Sequence, residues 1–276
     1  MASTEDKPAN KENASSWKDS IYNPRTGELL GRTASSWALI LLFYLVFYCF
    51  LAGMFALTMW VMLLTLDDYV PRYRDRVPSP GLVIRPNTME ITFSKSDTKY
   101  NGYVSQLESF LQRYNDTLQE QNVQDCVKGQ YFLQDDVEEK KVCSFKRGLL
   151  KACSGYSDSS FGYADGQPCI LLKLNRIIGL MPRGEPYINC TVKKVSMQMA
   201  YYPDEGRIDK KYFPYYGKKA HENYVQPLVA VKLLLEKDHM NKEHSVECRV
   251  DGTNLRNNDE RDKWLGRVSF KVKVME

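Results

Sequence analysis

The sequence predicts one membrane-spanning α-helix followed by a mainly β, immunoglobulin-like sandwich that carries one inserted amphipathic helix. Three observations lead there. Between Arg32 and Asp67 no Lys, Arg, Asp or Glu occurs, although 26% of the 276 residues are charged. Six of the seven cysteines, Cys126, Cys143, Cys153, Cys169, Cys190 and Cys248, follow that run, an even set that fits an oxidising, exterior compartment. Near the C-terminus Val268, Phe270, Val272 and Val274 alternate strictly with polar neighbours, the period of a half-buried strand.

Residues 1–36 hold as many acidic as basic side chains, and the first stretch is rich in Lys, Glu, Asn, Ser and Ala. Such a composition has little to bury, and predicts a disordered cytoplasmic tail with a short ordered approach to the membrane. Residues 37–66 form the span. As a helix they extend about 45 Å, enough to cross a hydrocarbon core of about 30 Å with tilt. The run is longer and more internal than the apolar stretch of a cleavable signal peptide, about 7 to 15 residues, and reads as an uncleaved signal anchor. Trp37 and Trp60 lie toward its ends, where interfacial aromatics are common. Lys18, Arg25 and Arg32 precede the span and Arg72, Arg74, Arg76 and Arg85 follow it, so basic residues do not set the orientation. The six cysteines and the sequons Asn115-Asp116-Thr117 and Asn189-Cys190-Thr191 do: N-terminus inside, C-terminus outside, with Asn115 and Asn189 as glycan acceptors. Asn13-Ala14-Ser15 is then cytosolic and unused, and Cys49 is left over inside the lipid.

Beyond the span, Pro71, Pro78, Pro80 and Pro86 interrupt regular structure and predict a stiff, extended stalk over residues 67–87, with the folded exterior domain over 88–276. Its helix starts at Asp97, a suitable N-cap, because Tyr100, Tyr103, Val104, Leu107, Phe110, Leu111, Tyr114 and Leu118 recur at three- and four-residue spacing. Residues 170–180 and 225–235 are near-continuous apolar runs that read as strands, and 244–250 is another, ending at the turn signal Asp251-Gly252. Late strands with one helix laid across them predict an antiparallel sandwich.

The six exterior cysteines permit 15 pairings. Sequence order favours Cys126 with Cys143 and Cys153 with Cys169, each closing a short loop, which leaves Cys190 with Cys248. No CxxC occurs and His221, His239 and His244 are not spaced as ligands, so no metal site is expected. There is no GxSxG, P-loop, GxGxxG or Asp-x-Asp, and His221-Glu222 lacks the second histidine of HExxH; no catalytic residue and no cofactor are expected. A net charge of +4 gives no basic arm for nucleic acid. Asp135, Asp136, Glu138 and Glu139, with Lys140 and Lys141, read as a solvated charged loop. What stands out is aromatic. Tyr44 and Tyr48 lie four residues apart with Phe43 and Phe47 beside them and Ala52 and Gly53 beyond, a helical face suited to a partner helix within the lipid. Outside, Tyr212-Phe213-Pro214-Tyr215-Tyr216-Gly217-Lys218-Lys219 gathers aromatics around a proline, either as buried packing or as an interface anchor.

Taken in order and spacing, a set of strings resembles the beta subunits of the Na,K-ATPase and gastric H,K-ATPase. Before and within the span these are Tyr22-Asn23-Pro24, Leu30-Gly31-Arg32-Thr33, Ser36-Trp37 and Phe43-Tyr44-Leu45-Val46-Phe47-Tyr48. Outside they are Cys153-Ser154-Gly155, Phe161-Gly162-Tyr163, Pro168-Cys169, Leu174-Asn175-Arg176-Ile177-Ile178-Gly179, Pro214-Tyr215-Tyr216-Gly217-Lys218 and Gln226-Pro227-Leu228. Practically the whole chain after Trp17 is covered. The string from Tyr212 to Lys219 and the short loop over 190–209 most resemble the third Na,K-ATPase beta isoform.

The resemblance implies a non-catalytic, single-pass type II chain of the plasma membrane, in contact with lipid. It implies assembly with the catalytic alpha subunit of the Na,K-ATPase or H,K-ATPase, help in its folding and delivery, modulation of potassium transport, and a small single-pass regulatory subunit in the same complex. It further implies that Tyr44, Phe47 and Tyr48 face a transmembrane helix of alpha, that Tyr215, Tyr216 and Gly217 lie near its extracellular loops, and that the disulfides pair as sequence order favours. One departure is that Asn189-Cys190-Thr191 encloses a disulfide cysteine, so early closure of that bridge competes with glycosylation. The alternative from another class is a self-standing type II cell-adhesion glycoprotein, which has no need of paired tyrosines in its span; a type II glycosyltransferase is a third, separable by nucleotide-sugar binding.

Overall fold

An uncharged apolar run must satisfy its own backbone within lipid, and a helix does so by internal hydrogen bonds. In the computed structural model of the chain, which describes residues 22–23, 27–73, 76–77, 79–96, 98–115, 117, 119, 123–193 and 195–276, that run is helix α1 (Ala34–Leu64), with no residue buried. It starts three residues before Trp37. Ahead of it, β1 (Tyr22–Asn23) and β2 (Glu28–Leu29) pair as a short antiparallel hairpin. Leu29 and Arg32 exchange backbone hydrogen bonds, and the Trp37 indole donates to the Leu29 carbonyl at 2.8 Å, fastening this turn to the helix start. The tail over residues 1–16 and the sequon at Asn13 lie outside the described residues.

The chain divides at Leu66, and residues from Asp67 onward form the second unit. It is mainly β, with two four-stranded sheets. The first runs β3 (Leu82–Arg85), β7 (Cys169–Leu174), β10 (Leu228–Leu234), β9 (Gln198–Tyr202) and is antiparallel throughout. The second runs β4 (Glu90–Ser94), β12 (Arg267–Met275), β11 (Glu243–Thr253), β8 (Gly184–Val192). Its β4–β12 pair is parallel, which corrects the all-antiparallel expectation: β4 follows a short crossover from β3 in the other sheet and so enters in the same direction as the last strand. A further parallel pair joins β5 (Val123–Gln124) to β6 (Val142–Cys143).

Val268, Phe270, Val272 and Val274 of β12 and His244, Val246, Cys248 and Val250 of β11 are buried, as period two requires of a sheet with one covered face. Strands β7 and β10 are central and nearly all buried. That explains why they read as continuous apolar runs. The 170–180 run leaves the sheet at Leu174, and residues 175–180 form a loop.

Two further expectations are corrected. The stalk does not extend to residue 87. Ser79 is buried and its hydroxyl accepts from the Arg256 N–H, while Leu82 and Ile84 are fully buried in β3; Pro80 and Pro86 flank this short edge strand, where Pro is tolerated. Asp251-Gly252 is not a turn but a bulge inside β11, where the register to β8 shifts; Gly252 has φ +71°, and a Cβ there would meet the Glu185 carbonyl at 2.3 Å. The amphipathic helix is α2 (Asn101–Leu111), flanked by 3-10 turns at Thr98–Tyr100 and Gln112–Tyr114. Asp97 and Leu118 lie outside the described residues. Leu107, Leu111 and Tyr114 join the single apolar core with residues of both sheets.

Disulfides join Cys126 to Cys143, Cys153 to Cys169 and Cys190 to Cys248. The last links strands that are sheet neighbours, since Cys190 and Cys248 face each other across β8 and β11. Bridges of this kind typically stabilise by about 2 to 4 kcal/mol each. Cys49 is the free cysteine, exposed on α1.

Candidate functional site

Residues four apart on a helix stand one above the other, and in α1 this stacks two pairs of rings. Tyr44 and Tyr48 are 6.0 Å apart and Phe43 and Phe47 are 6.1 Å apart, both stacked. Edge contacts of 5.5 Å between Phe43 and Tyr44 and of 5.6 Å between Phe47 and Tyr48 tie the pairs into one aromatic face. All four rings are exposed. Gly53, without a side chain, lies farther along the same helix, a residue type that permits close approach of a second helix.

In the second unit the other candidate, the turn at Tyr215, Tyr216 and Gly217, is set by the residues around it. The Tyr215 carbonyl accepts from the Gly179 N–H at 2.8 Å. Its ring lies 4.7 Å from Tyr224 and 6.0 Å from His221, and the Arg176 guanidinium sits over it at 5.4 Å. The Tyr216 hydroxyl accepts from the Gln134 N–H at 2.8 Å and donates to Asp135 Oδ1 at 2.9 Å, with Lys140 Nζ over the ring at 4.7 Å. Gly217 has φ +101°, and a Cβ there would come within 3.0 Å of the Tyr69 carbonyl. Tyr69 follows the apolar helix by five residues, so the turn packs on the first residues of the second unit. Asp67 holds that start: its carboxylate accepts from the N–H groups of Tyr69 and Val70, which lower its pKa. Lys219 reaches Asp68 at 3.3 Å.

Tyr215 and Tyr216 are therefore packing residues, 6% and 9% exposed. What the turn presents is Lys218 and Lys219, both exposed, and a cavity of about 560 Å³ whose lining includes Tyr69, Val137, Lys140, Tyr216 and Lys219. Behind the turn His221, 4% exposed, packs against the rings of Tyr215, Tyr216 and Tyr224, with neither ring nitrogen hydrogen-bonded. Its pKa is lowered to about 4 by burial and by Lys140. Burial likewise raises Tyr216, with Asp135 adding to the rise. His221, Tyr224 and Arg176 join this cluster without having been singled out for it in the sequence, while Asp135, Asp136, Glu138 and Glu139 are exposed as a charged loop is expected to be. The only signal was Tyr and His at close spacing after the turn.

Both sequons that follow the apolar helix are accessible. Asn115 and Thr117 are exposed after the Gln112–Tyr114 turn. Asn189 and Thr191 are exposed on β8, where the Asn189 amide donates to Asp251 at 3.1 Å.

Comparison with known proteins matches residues 7–270 to the family described as the sodium / potassium ATPase beta chain. Sodium/potassium-transporting ATPase subunit beta-2 of Homo sapiens is 46% identical over 273 residues, covering 94% of this chain and 93% of that protein. The beta-2 subunit of Rhinella marina is 44% identical over 282 residues, covering 94% of each. Protein ATP1B4 of Xenopus laevis is 43% identical over 265 residues, covering 92% of this chain and 83% of that protein. Such even likeness across members supports the family rather than one isoform. With a single helix long and apolar enough to span a membrane among the described residues, three disulfides and a match over nearly its whole length, the chain belongs to the sodium/potassium ATPase beta chain family, the non-catalytic partners of the pump.

Proposed function

We propose that the chain assembles with the catalytic alpha subunit of a sodium/potassium pump, assists its folding and delivery to the plasma membrane, and modulates potassium transport. It sits there as a type II glycoprotein, N-terminus cytoplasmic, with Asn115 and Asn189 glycosylated. The observation that carries this reading is the stacked aromatic face of Tyr44, Phe47 and Tyr48 on the apolar helix. In lipid, helix association depends on packing and interhelical hydrogen bonds, and this face offers both. Tyr215, Tyr216 and Gly217 shape the second contact from within, and Lys218, Lys219 and the cavity rim meet the extracellular loops of alpha. A subunit with differential contact to two pump conformations shifts their populations and thereby ion affinity.

In the same proposal the second unit is an immunoglobulin-like sandwich with α2 inserted, the chain is most like the third isoform, an H,K-ATPase alpha is the second candidate partner, and a small single-pass regulatory subunit joins the complex. The test is purification of the tagged chain from native membranes in mild detergent. Recovery in fixed proportion with a large polytopic subunit that forms an acid-stable phosphoenzyme is the expected result. Recovery of the chain alone, glycosylated and disulfide-bonded, overturns it in favour of self-standing adhesion.

A further inference from the structure

Four cations converge beside the aromatic turn from three places in the chain. Arg85 ends β3, Lys173 lies in the neighbouring β7, Arg176 follows the end of β7, and Arg113 stands in the 3-10 turn after α2. Phe110 is held between two of them, with the Arg85 guanidinium at 5.3 Å and Lys173 Nζ at 5.7 Å from its ring. Arg176 covers Tyr215. The hydrogen bonds these cations make go to neutral acceptors: Arg85 to the Ile84 carbonyl at 2.9 Å and to Asn87 at 3.3 Å, and Lys173 to Gln226 at 3.3 Å. Among the described residues none of the four forms an ion pair with a carboxylate, whereas nine other ion pairs occur in the same domain. Burial and then Arg85, Arg176 and Arg113 lower the Lys173 pKa, and no carboxylate counteracts them.

Like charges gathered around a half-buried ammonium oppose folding. The ring contacts offset part of that, and guanidinium forks carry the in-plane donors that recognise carboxylates bidentately. We propose that Arg85, Arg113, Lys173 and Arg176 form a docking surface for an acidic exterior segment of the catalytic alpha subunit. This deepens the pump-subunit reading and rests on it. Arg176 and Tyr215 make the surface continuous with the turn already assigned to alpha. Lipid headgroups are the poorer fit, because anionic lipid is concentrated in the cytoplasmic leaflet and this domain is exterior in the same reading. Opposed charge of this kind sets orientation and rate of encounter as well as affinity.

The test co-expresses the full chain with alpha and measures the alpha retained on the tagged chain in mild detergent at increasing salt. Arg113 and Arg176 are exposed, so R113Q/R176Q leaves the core intact; equal glycosylation and equal melting temperature verify this. The expected result is about fivefold less alpha retained at low salt, with a flattened salt dependence, while R113K/R176K keeps the salt dependence of the wild type. Wild-type retention and salt dependence in R113Q/R176Q overturn the proposal while the subunit reading stands. Undiminished alpha retention together with loss of binding to phosphatidylserine vesicles overturns it in favour of lipid. Failure of the wild-type chain itself to retain alpha overturns the subunit reading and this proposal with it.

Discussion

The Tyr216 hydroxyl donates to Asp135 Oδ1 at 2.9 Å while it accepts from the N–H of Gln134, joining the aromatic turn to the charged loop of residues 134–141. A nearly buried hydroxyl that both donates and accepts fixes the two segments against each other, and loss of one partner strands the other. Tyr216→Phe is expected to lower stability by about 1 to 2 kcal/mol. Asp135→Ala should cost less once Tyr216 is Phe, with a coupling above about 0.5 kcal/mol in a double-mutant cycle. Melting of the four proteins in detergent decides it, and an additive cycle would remove the coupling.

His221 sets a pH dependence. Its pKa falls from 6.5 in the open chain to about 4 in the fold, so between these values the unfolded chain binds the extra proton. Stability is then fully present above about pH 6.5 and is lost as pH falls toward 4, by at most about 3 kcal/mol. The rings of Tyr215, Tyr216 and Tyr224 pack around the imidazole, and Lys140 adds to the depression that burial causes. His221→Phe should flatten the melting temperature between pH 4 and 6.5 relative to wild type, and parallel curves would exclude His221 as the source.

Arg147 is buried and pairs with Glu108 of α2 at 3.0 and 2.6 Å, with its Nε donating to the Ser154 carbonyl. Glu108→Ala leaves that guanidinium without its counter-charge. Because Glu108 is itself about half exposed, the expected loss is about 2 kcal/mol, below the range for a fully buried pair. Chemical denaturation of the reducing-agent-free protein measures it, and a change under about 0.5 kcal/mol would assign the pair to the solvated class.

Cys248 lies 58 residues beyond Cys190. At about 5 to 20 residues per second of synthesis, and in the proposed orientation, Asn189 enters the lumen ahead of the partner thiol. Glycosylation at Asn189 is therefore expected to precede closure of the bridge. Asn115→Gln and Asn189→Gln should each remove one step of electrophoretic mobility that endoglycosidase also removes; an unshifted Asn189→Gln band would mean that the acceptor is not used.

In the membrane, Tyr44→Ala with Tyr48→Ala removes two stacked rings and their hydroxyls from α1. The double variant should retain about threefold to tenfold less alpha or shift the apparent potassium affinity of the pump, read by co-purification and by transport. Wild-type values in both assays would take this face out of the contact.

By itself the sequence determined the features whose signal is local and periodic. The charge-free run before Asp67 has one way to meet lipid, so α1 was legible, as were β12 from its strict alternation, the core of α2 from its three- and four-residue spacing, and the apolar runs of β7 and β10. Tertiary structure decided what depends on partners far apart in the chain. Strand β3 was hidden among prolines because its four residues become a strand only when paired with β7. Asp251-Gly252 reads as a turn until the Glu185 carbonyl is placed against Gly252. The aromatic turn was found in the sequence, but whether its rings face solvent was set by His221, Tyr224, Asp135, Lys140 and Arg176, which converge on it from separate segments. Burial and electrostatic fields sum over neighbours in space, and only the fold says which residues those neighbours are.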